Sequence, residues 1–148
     1  MRWSWIFAGV IALTPGFEEV HAQVIPPGYL HIDGIQVNCG PYPTIVTPQI
    51  ADSAMFNGQA ILLNPVVLSR MPTTLKLYTY GHECGHAMVG ASETDADCWS
   101  VRTGRDQGWF PPQAFQLLIA MFRNNPGDLT HPPGPARVAN MISCYSRP

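Results

Sequence analysis

The stretch "GHECGHAMVGASETDADCWS", Gly81 to Ser100, leaves this chain few ways to fold. His82 and His86 stand four apart, Glu93 and Asp97 stand four apart, and Gly90-Ala91-Ser92 separates the two pairs. Side chains at i and i+4 share one face of an α-helix, about 40° apart around its axis. Each pair therefore marks the face of one helix, and a reversal at the glycine lays the two faces together. Counting outward from Gly90, His86 and Glu93 come level, and one turn further out His82 faces Asp97.

The flanking residues support two helices. Thr73 or Thr74 can cap the first, and Leu75, Leu77, Tyr78, Ala87, Met88 and Val89 recur with a helical period. This predicts a helix to about Val89 with Gly90 as its left-handed terminator. Ser92, with Asp95 three residues on, starts a second helix expected to reach about Arg102 and to stop at Gly104. "PPQAFQLLIAMFRN" predicts a third helix, and residues 136–143 a short last one.

Before the hairpin, "IQVNC" and "TIVT" suit small strands or an extended arm. Asn57-Gly58 signals a β-hairpin whose second strand is "AILL", closed by Pro65, with a helical turn through "VVLSR". The 15 prolines imply short elements with irregular connections, and no internal repeat marks a second domain. The fold class expected is α+β: a small domain with a short hairpin or sheet, then a histidine helix and a glutamate helix paired antiparallel.

Two imidazoles on one helix face can grip one ion. Glu83, about 100° round from His82, stays out of the ligand pair yet can touch a water on that ion. This H-E-x-x-H pattern is the arrangement of zinc hydrolases. Catalytic zinc needs a third protein ligand and an open fourth position. Glu93 is the candidate, because the glycine and histidine that a metzincin would require are here Val89 and Ser92. Asp97 suits the carboxylate that orients a ligating imidazole, and Asp95, on another side of its helix, is a capping acid. The cofactor expected is therefore Zn2+ on His82, His86 and Glu93, with Glu83 as catalytic base. The alternative is a non-catalytic exported module stapled by disulfides, with no metal or with a closed structural site in which Asp97 or His131 is the fourth ligand.

The chain opens like a secretory signal: Met1-Arg2, the apolar "WSWIFAGVIAL", a "TPG" break and the small-x-small site Val20-His21-Ala22. Cleavage after Ala22 leaves residues 23–148 as one domain, exported to a periplasm or beyond the cell, with no stable membrane span. All four cysteines lie in that part, so two disulfides are expected. Cys84 points 160–200° from the histidine face and lies about as far before Gly90 as Cys98 lies after it. A Cys84–Cys98 bridge locking the helices is the expectation, which leaves Cys39 for Cys144; sequence alone leaves the other two connectivities open. With only 12% charged residues and a net charge of −2 there is no basic face for nucleic acid. The partner expected is a peptide or protein substrate, its backbone held in extended form by adding to a sheet edge at the strand from Ala60 to Leu63.

Three ordered segments, "HECGH" at 82–86, "ETDAD" at 93–97 and "THPPGPAR" at 130–137, resemble the gluzincin peptidases of the CAAX prenyl protease and heat-shock membrane protease type. In that group H-E-x-x-H is followed by E-x-x-A-D on the next helix, then by a T-H-P segment and an arginine. The resemblance covers residues 60–137 and implies a zincin-like domain in a minimal, soluble, exported form. It implies His82, His86 and Glu93 as zinc ligands, Glu83 as base and Asp97 as the carboxylate behind a ligand. It also implies that His131 meets the substrate carbonyl.

Overall fold

The computed structural model describes residues 22–147; the expected signal segment lies outside them except for Ala22. The fold is α+β, in the order β1 (Gln23–Ile25), β2 (Leu30–Ile32), β3 (Ile35–Val37), β4 (Thr44–Val46), β5 (Ala54–Phe56), β6 (Ile61–Leu63), α1 (Pro65–Leu68), α2 (Thr73–Val89), α3 (Glu93–Asp106), α4 (Phe115–Phe122) and α5 (Gly134–Tyr145). A 3-10 turn, Pro112–Ala114, leads into α4. Among the described residues no helix is long and apolar enough to cross a membrane.

Four strands form one sheet in the order β1-β4-β6-β5, and β2 and β3 make a separate hairpin. Among the described residues only β4 and β6 pair in parallel. The β5–β6 hairpin forms at Asn57-Gly58 as its residues indicate. Gly58 takes φ +89°, and Asn57 Oδ1 accepts from the Gln59 and Ala60 N–H groups at 3.0 and 2.9 Å. In this order β5 is an edge strand and β6 is interior.

Helix α2 is the centre of the molecule. Leu77, Tyr80 and Cys84 pack under the sheet and hairpin with Leu30, Ile61 and Leu63. Leu75 and Tyr78 pack on another side with Val101, Leu118 and Met141 from the later helices and Phe110 from the segment between α3 and α4. A helix buried on two sides in this way is held by tertiary packing more than by its own propensity. Its start departs from expectation: Pro72 is the N-cap, with no side-chain hydrogen bond. Thr73 Oγ1 instead donates to Asp33 of the β2–β3 turn at 2.7 Å, and Lys76 Nζ lies 2.8 Å from the same carboxylate. Gly90 ends α2 with φ +93° but ψ −162°, an extended glycine conformation rather than the left-handed helical one.

Small residues bring α2 and α3 together. A Cβ on Gly85 would stand 2.7 Å from Ala96 Cα, and one on Gly81 would stand 2.6 Å from Ser100 Oγ. The contact ridge is thus Gly81 and Gly85 on α2 against Ala96 and Ser100 on α3, both at i,i+4 spacing. Helix α3 also runs past Gly104, which does not stop it. A Cβ there would be 2.5 Å from Phe110 Cβ, so this glycine lets the following chain close on the helix. The turn comes four residues later at Gly108, with φ +81°.

That ridge corrects the expected disulfides. The bridges are Cys39–Cys84 and Cys98–Cys144, with Cα–Cα distances of 5.5 and 5.4 Å, not Cys84–Cys98 and Cys39–Cys144. Cys84 precedes Gly85 by one residue, a rotation of about 100° off the ridge that turns it under the sheet, where Cys39 follows β3. Cys98 is two residues past Ala96, about 200° round, and so faces α5 and Cys144. Each bridge ties the helix pair to a different neighbour. Two disulfides fit an oxidising, exported environment.

Candidate metal centre

The helix hairpin brings His82, His86 and Glu93 into one group that could hold a metal ion, with a donor atom from each within 4.8 Å of the others. The two Nε2 atoms are 3.2 Å apart. Glu93 Oε2 is 3.2 Å from His82 Nε2, and Oε1 is 3.3 Å from His86 Nε2. Ligands about 2.0–2.1 Å from a tetrahedral ion sit ~3.3–3.4 Å from one another, so these three separations are close to those of one face of such a site. Glu93 Oε2 is also a buried oxygen without a well-aligned hydrogen-bond donor, its nearest cationic neighbours being His82 Nε2 at 3.2 Å and a terminal nitrogen of Arg137 at 3.5 Å. Such a group is costly unless something satisfies it, and a cation between the three side chains would do so. The residues fit a metal.

The ring nitrogens opposite the cluster are anchored. His82 Nδ1 lies 2.9 Å from Asp97 Oδ1, within hydrogen-bonding distance though bent from ideal alignment. His86 Nδ1 lies 3.0 Å from the Gly90 carbonyl, so the residue that ends α2 also orients its last histidine. Both Nε2 atoms are thereby turned to the cluster, the arrangement that fixes imidazoles as ligands.

Asp97 is wholly buried and accepts from three sides. Arg137 of α5 donates through Nε at 2.8 Å and through its terminal NH2 at 2.7 Å, and the Tyr78 hydroxyl donates at 2.6 Å. Burial raises the Asp97 carboxyl, but hydrogen bonds from Arg137 and His82 outweigh it and bring it to about 2. Burial likewise disfavours a charged His82, yet Asp97 and Glu93 raise it to about 9 in the metal-free protein. Glu93 is lowered: burial opposes this, while the hydrogen bond and charge of His82, with His131 and His86 beyond, favour the anion. Burial pushes the Tyr78 phenol far up, and the Asp97 charge adds to it. Arg137 was visible in sequence only within the resemblance, and Tyr78 only as an apolar position. Their separations of 40 and 19 residues from Asp97 leave no local signal.

Glu83 lies beside the cluster on the wall of a cleft of about 970 Å³ that also includes His82, His86, Glu93, His131 and β5. Its Oε2 accepts the Phe56 N–H at 2.8 Å, and Oε1 has no hydrogen-bond partner among the described residues. Asn64 N–H donates to Ser53 O and Asn57 N–H to Ala60 O, so by antiparallel alternation Ala54 and Phe56 present their backbone groups to the outer edge of β5. The strand over Ala60–Leu63, expected to offer a free edge, cannot do so because β6 is covered by β4 and β5. The free edge beside the cleft belongs to β5.

His131 is on the cleft rim, in the loop between α4 and α5. Its Nε2 is 3.5 Å from Glu93 Oε1, and it is not part of the three-residue group. No family model matches this chain, and no curated protein or solved structure matches it significantly.

Proposed function

We propose that this protein is an exported, zinc-dependent peptidase, a minimal relative in kind of the gluzincins that its three motifs resemble. The observation that carries this reading is the set of 3.2, 3.2 and 3.3 Å separations among His82, His86 and Glu93, opening on a cleft beside Glu83. Zinc bound there supplies Lewis acidity, polarising a substrate carbonyl and lowering the pKa of a water toward ~7.

The chain's own groups supply the rest. An extended peptide adds to the outer edge of β5, pairing with the Ala54 N–H and C=O, which sets the scissile bond across the histidine face. The Phe56 N–H holds one oxygen of Glu83, and the other takes a proton from the attacking water and returns it to the leaving amine. Asp97, clamped by Arg137 and Tyr78, keeps His82 aimed at the cluster. His131 approaches the substrate carbonyl from the opposite rim as negative charge builds there.

Peptide cleavage by zinc-loaded protein tests this beside Glu83→Gln, which is nearly isosteric and leaves the ligands untouched. We expect the substitution to keep zinc and to lose cleavage by about 10²–10⁴-fold. Equal cleavage by both forms removes Glu83 from the mechanism. Zinc binding without any cleavage would instead favour the non-catalytic exported module.

A further inference from the structure

The loop that carries His131 is folded around one carboxylate. Asp128 accepts the Thr130 N–H at 2.7 Å, the His131 N–H at 2.8 Å and the Thr130 hydroxyl at 2.7 Å, and its own N–H donates to the His131 carbonyl at 2.9 Å. The same carboxylate reaches the His131 ring, with Oδ1 and Oδ2 at 3.1 and 3.2 Å from Nδ1, and the Thr130 hydroxyl that it holds lies 2.8 Å from that nitrogen. Gly127 N–H donates to Asn125 Oδ1 at 2.8 Å, and Gly134 N–H to Asn125 O at 2.9 Å, closing the loop at its base. At Gly127, with φ +76°, a Cβ would stand 2.6 Å from the His131 carbonyl, so glycine is needed for this path.

An imidazole on a loop has two nearly equivalent ring flips about χ2. One flip points Nε2 into the cleft, and the other puts a carbon there. The 42% exposed His131 side chain is not fixed by packing alone, and contact with a substrate oxygen demands an orientation within about 10–20°. Turning Nδ1 to Asp128 and to the Thr130 hydroxyl that Asp128 holds selects the flip that sends Nε2 toward Glu93 and the cleft.

We propose that Asp128 is the positioning residue of this site: it holds the His131 ring so that Nε2, rather than a ring carbon, meets the carbonyl of a bound peptide. The proposal rests on the peptidase reading above. It accounts for why the loop concentrates five interactions on a side chain that never touches the metal group.

The test is a double-mutant cycle on zinc-loaded protein with a peptide substrate. Asp128→Ala is expected to lower kcat roughly 10-fold with little change in KM or in zinc content, and to cost nothing further when His131→Ala is already present. An additional loss in the His131→Ala background would mean that Asp128 only braces the loop, and would overturn the proposal. Asp128→Asn keeps an acceptor for the Thr130 and His131 N–H groups and runs the same comparison with the loop intact. A readout independent of activity is the ring 15N resonances of His131, which Asp128→Ala should move; unchanged resonances would overturn the proposal even if no substrate is found. Absence of cleavage by the wild-type protein would count against the peptidase reading alone.

Discussion

On the proposed reading zinc and a proton compete for His82, and the raised pKa of that ring sets the size of the competition. In the metal-free protein His82 is raised to about 9, since Asp97 and Glu93 outweigh the burial that opposes its charge. At pH 7 such an imidazole is almost fully protonated, whereas one at its ordinary value of ~6.5 is about a quarter protonated. Uptake of a metal requires the neutral ring, so His82 should release about one proton per ion bound at pH 7. The competition lowers apparent affinity by about 100-fold at pH 7 and fades tenfold per pH unit until about pH 9.

Asp97→Asn perturbs this directly by removing the carboxylate 2.9 Å from Nδ1. Titration calorimetry in two buffers of different ionisation enthalpy counts the protons. Wild-type protein should release about one from His82 at pH 7, and Asp97→Asn, in which burial is opposed by Glu93 without Asp97, should release fewer at pH 7. Circular dichroism checks that Arg137, left without its partner, has not unfolded the variant. A release at pH 7 that is the same in both proteins would refute the role given to Asp97.

The same linkage gives a stability profile. Because the folded His82 value lies above the unfolded one, its contribution is present below about pH 6.5 and is lost as pH rises through about 9, a change of about 3 kcal/mol that thermal melts of metal-free protein should show. Asp97 has the opposite sign: its value of about 2 lies below the ordinary 3.8, so its stabilisation is present above that value and is lost as pH falls toward 2. Gly85→Ala should cost about 1–2 kcal/mol in chemical denaturation and weaken zinc binding, because its Cβ would meet Ala96 Cα at 2.7 Å. A gain in stability would show that the helices separate freely. Replacing Cys98 and Cys144 by serine should cost about 4 kcal/mol for a bridge across 46 residues, and peptide mapping of intact protein should recover Cys39–Cys84 and Cys98–Cys144.

The helix hairpin and its donor residues were legible because both are local: a four-residue period, a glycine between two such pairs, and donor types that metal chemistry uses. The β5–β6 hairpin was legible for the same reason, through Asn57-Gly58. The disulfides were misread because pairing depends on how two helices rotate against each other. The informative residues were Gly81 and Gly85 against Ala96 and Ser100, a small-residue spacing that would have turned Cys84 and Cys98 to different neighbours. Gly104 looked like a helix stop because glycine serves both as a terminator and as a point of close approach, and only Phe110 decides between them. Thr73 was available as a cap but finds Asp33, 40 residues away, as its partner. The Tyr78, Asp97 and Arg137 cluster depends on how α2, α3 and α5 converge, which no periodicity encodes.

The most direct measurement is the metal content of purified protein after zinc loading and exhaustive dialysis, beside Glu93→Ala. The account predicts one tightly held zinc per chain and its loss from the variant, since two imidazoles alone leave the third corner empty. A wild-type chain that keeps no zinc, or a variant that keeps it as firmly, would contradict the convergence of His82, His86 and Glu93 on a single ion.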